Sequence, residues 1–530
     1  MRWNGWGDPG RATSLPGEVN ALLRDLLGVR PPAAPPAALA DLSLPPSRLP
    51  GPALAALEDI VGAAHVRTDA ESRVRHTGGR STPDLLRLRA GEVAAAPDAG
   101  VLPDNHEEVL AVLRACAAHG LAVVPFGGGT SVVGGLSPEA GTAPVIALDL
   151  RRMDRLLSVD PLSRTAVLEP GVRGPRAEEL LAAHGFTLGH FPQSFEWATL
   201  GGFAAARSSG QASAGFGRFE EMVMALRLAA PAGTLTLGTA PRSAAGPDLR
   251  QLVLGSEGAF GVITSLTLRL RPRPEIRVHD AWRLPGFAAG QDALRRLAQD
   301  GPLPTVLRLS DESETLVGLA DPSALGTGEG EDGCLVIAGY EGTASDVDHR
   351  RHAAGTVLRQ AGGQPLDEAV GEGWERGRYA APYLRDALLD AGAFVETLET
   401  AGFWSALPGL YEGVRTALTR TLTAAGSPPL VLCHISHVYP AGASLYFTVA
   451  AAQGPGDGGG HWTAAKHAAN DAILAAGGTI SHHHGVGTDH RDWYAREIGP
   501  LGAGVLRAVK DHLDPAGILN PGVLLPPPAP

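Results

Sequence analysis

Apolar positions along the chain follow two spacings, and where each begins and ends sets out the elements. Asn105-His106-Glu107-Glu108 stands ahead of Val109, Leu110, Val112 and Leu113, the spacing of one buried helix face behind an N-cap residue. Gly120 ends that helix, because glycine enters the left-handed region freely. The apolar run Leu121-Ala122-Val123-Val124-Pro125 then reads as a buried strand. Strands are predicted next at 145–149, 156–159 and 165–168, a helix at 175–184, and strands at 224–229, 234–237 and 261–270. Arg271-Pro272-Arg273-Pro274 interrupts this texture. Beyond it, strands at 305–309, 334–340, 430–437 and 444–449 interleave with helices at 287–299, 345–361 and 463–476. That alternation predicts an α+β architecture whose second half is an antiparallel sheet with helices on one face. Residues 453–460 read as a glycine-rich loop. A last helix at 502–513 and the segment 514–522 are expected to return to the first domain. The predicted division is therefore an extension over 1–95, a first domain over 96–273, a second over 274–500 and a return segment over 501–530.

A length of 530 residues supports two or more cores, and 44% apolar with 19% charged residues describes a folded globular chain. The 69 glycines and 43 prolines gather at turns rather than in a repeat. With a formal charge of −12 and no basic run, nucleic acid is excluded as a partner. An acidic chain that takes an anionic substrate must concentrate Arg and His locally, so an inward-facing Arg gains weight. Cys116, Cys334 and Cys433 lie far apart, which excludes a disulfide scaffold or thiolate cluster and fits a reducing cytoplasm. Met1-Arg2-Trp3-Asn4-Gly5-Trp6-Gly7 lacks the apolar core of a signal peptide, and no run of about 18 apolar residues predicts a membrane span.

Three glycine-bearing segments carry candidate chemistry. In Pro125-Phe126-Gly127-Gly128-Gly129-Thr130-Ser131, glycines after a strand let several N–H groups turn toward one anion, and two hydroxyls add donors. A plain tight turn is the alternative. No Gly-Lys-Ser/Thr follows, so it is not a P-loop, and no G-x-G-x-x-G opens a helix as a dinucleotide fingerprint would. The second segment is Gln193-Ser194-Phe195-Glu196-Trp197-Ala198-Thr199, running on to Ala206-Arg207-Ser208-Ser209. The third is Glu257-Gly258-Ala259-Phe260-Gly261-Val262-Ile263. One long cofactor lying along the domain would touch all three.

In the second half, Ile480-Ser481-His482-His483-His484-Gly485 has no structural need for three imidazoles. As a strand it would place His482 and His484 on one face and His483 on the other. A metal site and surface histidines are alternatives to proton handling, and without an accompanying carboxylate or Cys at ligand spacing no metal is assigned. Tyr446, in a period-2 strand, is a core aromatic or an acid/base. Arg308 and Arg385 break apolar contexts, and each needs a salt bridge or a bound anion.

The glycine trio and the ending Asp514-Pro515-Ala516-Gly517-Ile518-Leu519-Asn520-Pro521-Gly522 resemble flavoproteins of the vanillyl-alcohol oxidase type. Within that group the chain resembles the alkyldihydroxyacetonephosphate synthase family, the flavoenzymes of ether-lipid formation, over nearly its whole length. Arg2-Trp3-Asn4-Gly5-Trp6-Gly7, Tyr383-Leu384-Arg385-Asp386 and Ser481–Gly487 carry that narrower likeness. It implies a two-subdomain FAD-binding domain under an α+β cap, with FAD held non-covalently along the three segments. His190 is the position to check for a covalent link. The resemblance further implies Tyr446 as acid/base, His482, His483 and His484 as active-site histidines, Arg308 as a further arginine needed for activity, and Arg385 as the substrate-phosphate arginine. The implied reaction replaces the acyl group of acyl-dihydroxyacetone phosphate by a fatty alcohol through a flavin N5 adduct, without net redox. The alternative on the same scaffold is a dehydrogenase or oxidase of a small 2-hydroxy acid. The implied ligand is a small anionic or lipid-phosphate substrate, and peripheral membrane contact and a homodimer stay open. Pro440 and Thr488-Asp489-His490 depart from the family pattern.

Overall fold

The computed structural model describes residues 1–15, 17–318, 332–454 and 459–526. Part of the predicted glycine-rich loop, 455–458, lies outside the described residues. Among those described, the strands form two sheets in the first half and one large sheet in the second, besides a two-stranded pair.

The first sheet has the order Val66–Arg67, Ala99–Val101, Val145–Asp149, Ala122–Phe126, and its last three strands run parallel. Helices Gly51–Val61 and His106–His119 cover it, burying Leu57, Val109, Val112 and Leu113 against Val101, Val123, Ile146 and Leu148. The second helix is bounded as its sequence predicts. The Asn105 side chain accepts from the Glu108 amide, and Gly120 turns left-handed at φ 65°. Residues 518–520 add to this sheet, for Val123 donates to the Ile518 carbonyl at 2.8 Å and Asn520 donates back to Val123 at 2.8 Å.

The second sheet is antiparallel, in the order Leu156–Asp160, Thr165–Leu168, Val262–Arg269, Val223–Ala230, Gly233–Leu237. Helices Gly174–Ala182 and Leu200–Ala206 bring Leu181, Leu200 and Phe203 onto its Leu168, Leu226, Leu266 and Leu268.

The large sheet runs Gln364–Pro365, Ile276–Leu284, Cys334–Gly342, Val306–Ser310, Leu430–Ile435, Gly442–Ala452, Ala393–Phe403, all antiparallel. Strand periodicity of two sorts its residues. Leu307, Leu309, Val431, Cys433, Leu445, Phe447 and Val449 enter one core with helices Phe287–Asp300, Ala344–Gln360, Leu407–Ala424 and Gly460–Ala475. Each large apolar side chain so buried contributes about 1.5–3 kcal/mol. Arg308, His434, Tyr446 and Thr448 alternate with these and line a cavity on the opposite face.

Three features differ from the sequence reading. Helices Glu368–Gly377 and Ala381–Asp390 pack on the cavity side of the sheet, so helices occupy both faces. The strand Ala393–Phe403 escapes an apolar-run search because Glu396 and Glu399 interrupt it, yet both carboxylates are buried. The last helix, expected from residue 502, is preceded by another that begins at Arg491, and Gly499 (φ 71°, ψ 169°), ahead of Pro500, separates the two.

Candidate active site

A single cavity runs from the glycine segments of the first half to the polar face of the large sheet. Along it lie Pro125 to Ser131, Gln193, Ser194, Ala198, Thr199, Ala206, Ser208, Ser209, Glu257, Gly258, Gly261, Val262 and Ile263. The N–H groups of Gly127, Gly128 and Gly129 meet no acceptor among the described residues. The loop also has no room for side chains on its far side. A Cβ on Gly128 would fall 2.2 Å from the Trp197 carbonyl, and one on Gly129 (φ 69°) 2.7 Å from Phe126. Unsatisfied donors turned into a long cleft suit the pyrophosphate of FAD, and the residues present fit that cofactor.

Six residues of the predicted cofactor segments do not line the cavity. Phe195 stacks on Tyr379, and Glu196 pairs with Arg11. Trp197 lies under the Arg173 guanidinium. Arg207 donates to the carbonyls of Leu254 and Gln251. Ala259 and Phe260 pack with Val486, Val523 and Leu525. His190 is buried between Phe203 and Phe219 and does not line the cavity, so no covalent cofactor link is placed there.

On the sheet face, lateral register makes a row. Ser310 pairs with His434, His434 with Tyr446, and Tyr446 with Glu399. Residues directly opposite in antiparallel strands project to the same side. The Tyr446 ring therefore stacks on His434 at 4.8 Å and on His483 at 5.9 Å, with His484 edge-on at 5.4 Å. This places Tyr446 on the cavity wall and sets aside its core reading. Burial raises its phenol pKa to about 12, a rise eased by the Thr397 hydroxyl. Arg308 takes the salt-bridge alternative, pairing with the fully buried Glu314. Its Nη2 also lies 3.1 Å from His434 Nδ1, which in turn is 3.0 Å from the other Glu314 oxygen. Burial opposes ionisation of Glu314, but His434 and Arg308 outweigh it and bring its pKa down to about 2.

The histidine run is a loop rather than a strand, and Glu399 shapes it. One carboxylate accepts from the amides of His482 (2.6 Å), His483 (3.1 Å) and His484 (2.9 Å) and from the Ser481 hydroxyl (2.7 Å). Burial works to raise the Glu399 pKa, yet His483, His484 and His482 hold it well below the usual carboxylate range. Glu257, which also lines the cavity, accepts from the amides of Val486 and Gly487, so its carboxylate braces the end of this loop. Burial raises its pKa to about 7. His483 and His484 line the cavity, but His482 lies behind them. His482 bonds His483 through the two Nδ1 atoms at 3.0 Å, and Nε2 meets the Tyr439 hydroxyl at 2.7 Å. Burial lowers the pKa of all three, to about 3 for His484. His437, missed by sequence reasoning, stacks on His482 and is bonded by Ser209 and Ser213. His437, His482 and His483 bring one ring nitrogen each within 4.8 Å of one another, a spacing at which three imidazoles could close on a cation.

At another part of the cavity wall stands Arg385. Its Nη1 donates to the Arg80 carbonyl at 2.6 Å, while Nε and Nη2 have no hydrogen-bond partner. Sequence reasoning gave no role to Trp6, Gln211, Arg378, Glu396 or His434, which also line the cavity. His434 follows from the same period-2 alternation that exposes Tyr446. Glu399 acts across more than eighty positions and Trp6 across 380, and neither carries a local signal.

A family model described as an FAD binding domain matches residues 97–238, and one described as the C-terminal domain of FAD linked oxidases matches residues 273–524. The alkyldihydroxyacetonephosphate synthase of Dictyostelium discoideum is 34% identical over 87% of this chain and 78% of its own. That of Trypanosoma brucei brucei is 32% identical over 100% of this chain and 93% of its own. A solved alkyldihydroxyacetonephosphate synthase structure superposes with a TM-score of 0.83 at 29% identity, covering 98% of both chains. With relatives above 30% identity covering most of both chains, and an FAD-binding domain matched in the first half, this protein belongs to the alkyldihydroxyacetonephosphate synthase family of FAD-binding enzymes.

Proposed function

We propose that this chain exchanges the acyl group of acyl-dihydroxyacetone phosphate for a fatty alcohol, giving an ether-lipid precursor and a free fatty acid. The observation that carries the reading is Tyr446 on the cavity wall between His434, His483 and His484, with the open donors of Arg385 in the same cavity. In this reading residues 96–273 hold the cofactor, 274–500 form the cap, 501–530 return to the cofactor domain and 1–95 are an extension. FAD, when bound, supplies the electron-accepting ring beside which the exchange takes place. Arg385 holds the substrate phosphate, since a guanidinium with two open N–H groups suits an oxyanion. The protein's own groups divide the proton work by their ionisation. A phenol of pKa about 12 carries its proton at neutral pH, and a buried imidazole near 3 is a weak base, so the phenol is the group that exchanges a proton with the substrate. Tyr446 serves as the acid/base, with His434, His483 and His484 packed around its ring. The carbon–acyloxy bond breaks and a carbon–alkoxy bond forms. The alcohol proton leaves with the acid, so no oxidant is consumed. Three buried, unpaired cysteines support the cytoplasmic placement expected from the sequence. Among the described residues no helix is long and apolar enough to cross a membrane.

The test is an anaerobic mixing experiment with FAD-loaded protein. Labelled fatty alcohol is expected to enter the product from acyl-dihydroxyacetone phosphate while the flavin band stays unbleached. Rapid bleaching by lactate or glycolate, without exchange, would establish the dehydrogenase reading instead.

A further inference from the structure

The segment Arg2–Gly7 is strapped onto the helix that presents Arg385. The Trp6 amide donates to Asp386 Oδ2 at 2.6 Å, Arg89 Nε to the Asn4 carbonyl at 3.2 Å, and the Asp8 amide to the Tyr383 hydroxyl at 3.4 Å. Arg2 and Gly7 close the strap on itself at 2.8 Å. Its glycines leave no clearance. A Cβ on Gly5 would stand 2.4 Å from Asp386 Oδ2, and one on Gly7 (φ 66°) 2.2 Å from the Tyr383 hydroxyl. A strap held this closely fixes the indole of Trp6, which is only 6% exposed and forms part of the cavity wall.

That indole carries an anomaly. Its Nε1 is buried with no hydrogen-bond partner. A buried Trp N–H ordinarily finds an acceptor, and leaving it without one costs about 1–3 kcal/mol. The neighbourhood repeats the same lack. Arg385 Nε and Nη2 are unsatisfied, and so is Nε of Arg80, itself 3% exposed and joined to the strap through the Arg2 carbonyl at 3.5 Å. Against these donors stands the acceptor Asp386 Oδ1, which forms an ion pair with Arg385 Nη2 at 3.6 Å but accepts no hydrogen bond. Donors outnumber acceptors, and two of the donor-bearing side chains border the cavity. An oxyanion with several acceptor oxygens would meet that demand.

We propose that Trp6 donates from Nε1 to the anionic head of the substrate that Arg385 holds, making the Arg2–Gly7 strap part of the binding site. The inference rests on the reading of Arg385 as the anion-holding residue. A neutral donor adds reach without adding charge and recognises oxygen acceptors rather than net charge alone.

The experiment measures binding of dihydroxyacetone phosphate, glycolate and uncharged dihydroxyacetone to FAD-loaded wild-type and Trp6→Phe protein by calorimetry. Phenylalanine keeps an aromatic wall and removes only the donor. Affinity for dihydroxyacetone phosphate is expected to fall about tenfold or more, the scale of a hydrogen bond to a charged group, while that for dihydroxyacetone moves less than twofold. An unchanged affinity for the phosphate, or an equal loss for both ligands, overturns the proposal. A loss of bound FAD in the variant assigns the indole to the cofactor and overturns it as well. If glycolate is the tighter wild-type ligand, the synthase reading fails while the strap proposal is decided on glycolate by the same comparison. Binding of neither anion by the wild type overturns both. Should Trp6→Phe fail to fold, Gly5→Ala, whose Cβ displaces the strap from Asp386, is read in the same way.

Discussion

Tyr446 shows how much one residue's position decides. The alternation Leu445, Tyr446, Phe447, Thr448, Val449 was legible as a half-buried strand, and the structure sends the odd-numbered residues into the core and the even ones to the cavity. What the pattern could not tell is which face would be dry core and which would face ligand. That depends on which helices pack flush against the sheet and which stand off around a cavity. Because burial keeps the phenol protonated, Tyr446→Phe removes the hydroxyl that exchanges the proton and little else. Turnover is expected to fall at least about a hundredfold, with FAD content and KM for the phosphate substrate nearly unchanged. Steady-state kinetics beside a flavin absorbance spectrum check this. A fall in KM affinity equal to the fall in kcat would mean that the ring only positions substrate. Arg308 was equally visible as a charge in an apolar strand, but its partner Glu314 was not, since the pairing closes between a strand and the helix that follows it.

The elements carry the second lesson. Most strands and helices of the two halves were readable from period, cap and turn residues. The exceptions are instructive. Ala393–Phe403 carries no apolar run, because buried carboxylates look like surface residues in a string of letters, and the histidine run has no periodicity that decides strand against loop. One residue explains both. Glu399 lies on that strand and gathers three amides and a hydroxyl of the histidine loop, across more than eighty positions. Glu399→Gln replaces one acceptor oxygen by a donor amide that must face these N–H groups. It is expected to cost about 2 kcal/mol of stability and to lower turnover at least tenfold, because the histidines lose their fixed directions. Urea unfolding together with the exchange assay measures both. A variant as stable and as active as wild type would remove Glu399 from this role.

At the scale of the whole molecule, buried imidazoles set the response to acid. Burial lowers His190 and His484 to about 3, below the value near 6.5 of an unfolded chain. Between those values the unfolded chain binds more protons, so stability is full above about pH 6.5 and is lost as pH falls. Glu257 acts in the opposite sense. Raised to about 7, it binds more protons when folded, and its effect reduces stability as pH rises through about 4.5 to 7. The histidines outnumber it, so the melting temperature is expected to drop steadily from pH 7 to pH 5, at about 2 kcal/mol per fully buried histidine by pH 5. His190 touches no cavity, so a His190→Gln variant that folds should melt with a shallower dependence on pH. A slope unchanged by that substitution would show that the acid response arises elsewhere.

The return segment has a consequence in time as well as in space. Asn520 donates to the carbonyls of Gly135 and Glu257, and the first of these contacts spans 385 positions. Trp6 reaches Asp386 over a similar interval of 380. A ribosome adding about 5–20 residues per second needs roughly twenty to eighty seconds to cover such a gap. During that interval Gly135 and Glu257 exist without the Asn520 amide that joins them, and the strap exists without the helix it clasps. Neither half of the cavity can therefore be completed as it emerges. The nascent first half must stay folded enough to wait, and cofactor capture becomes a late event that reports on the assembly of the whole chain rather than on the folding of its first domain.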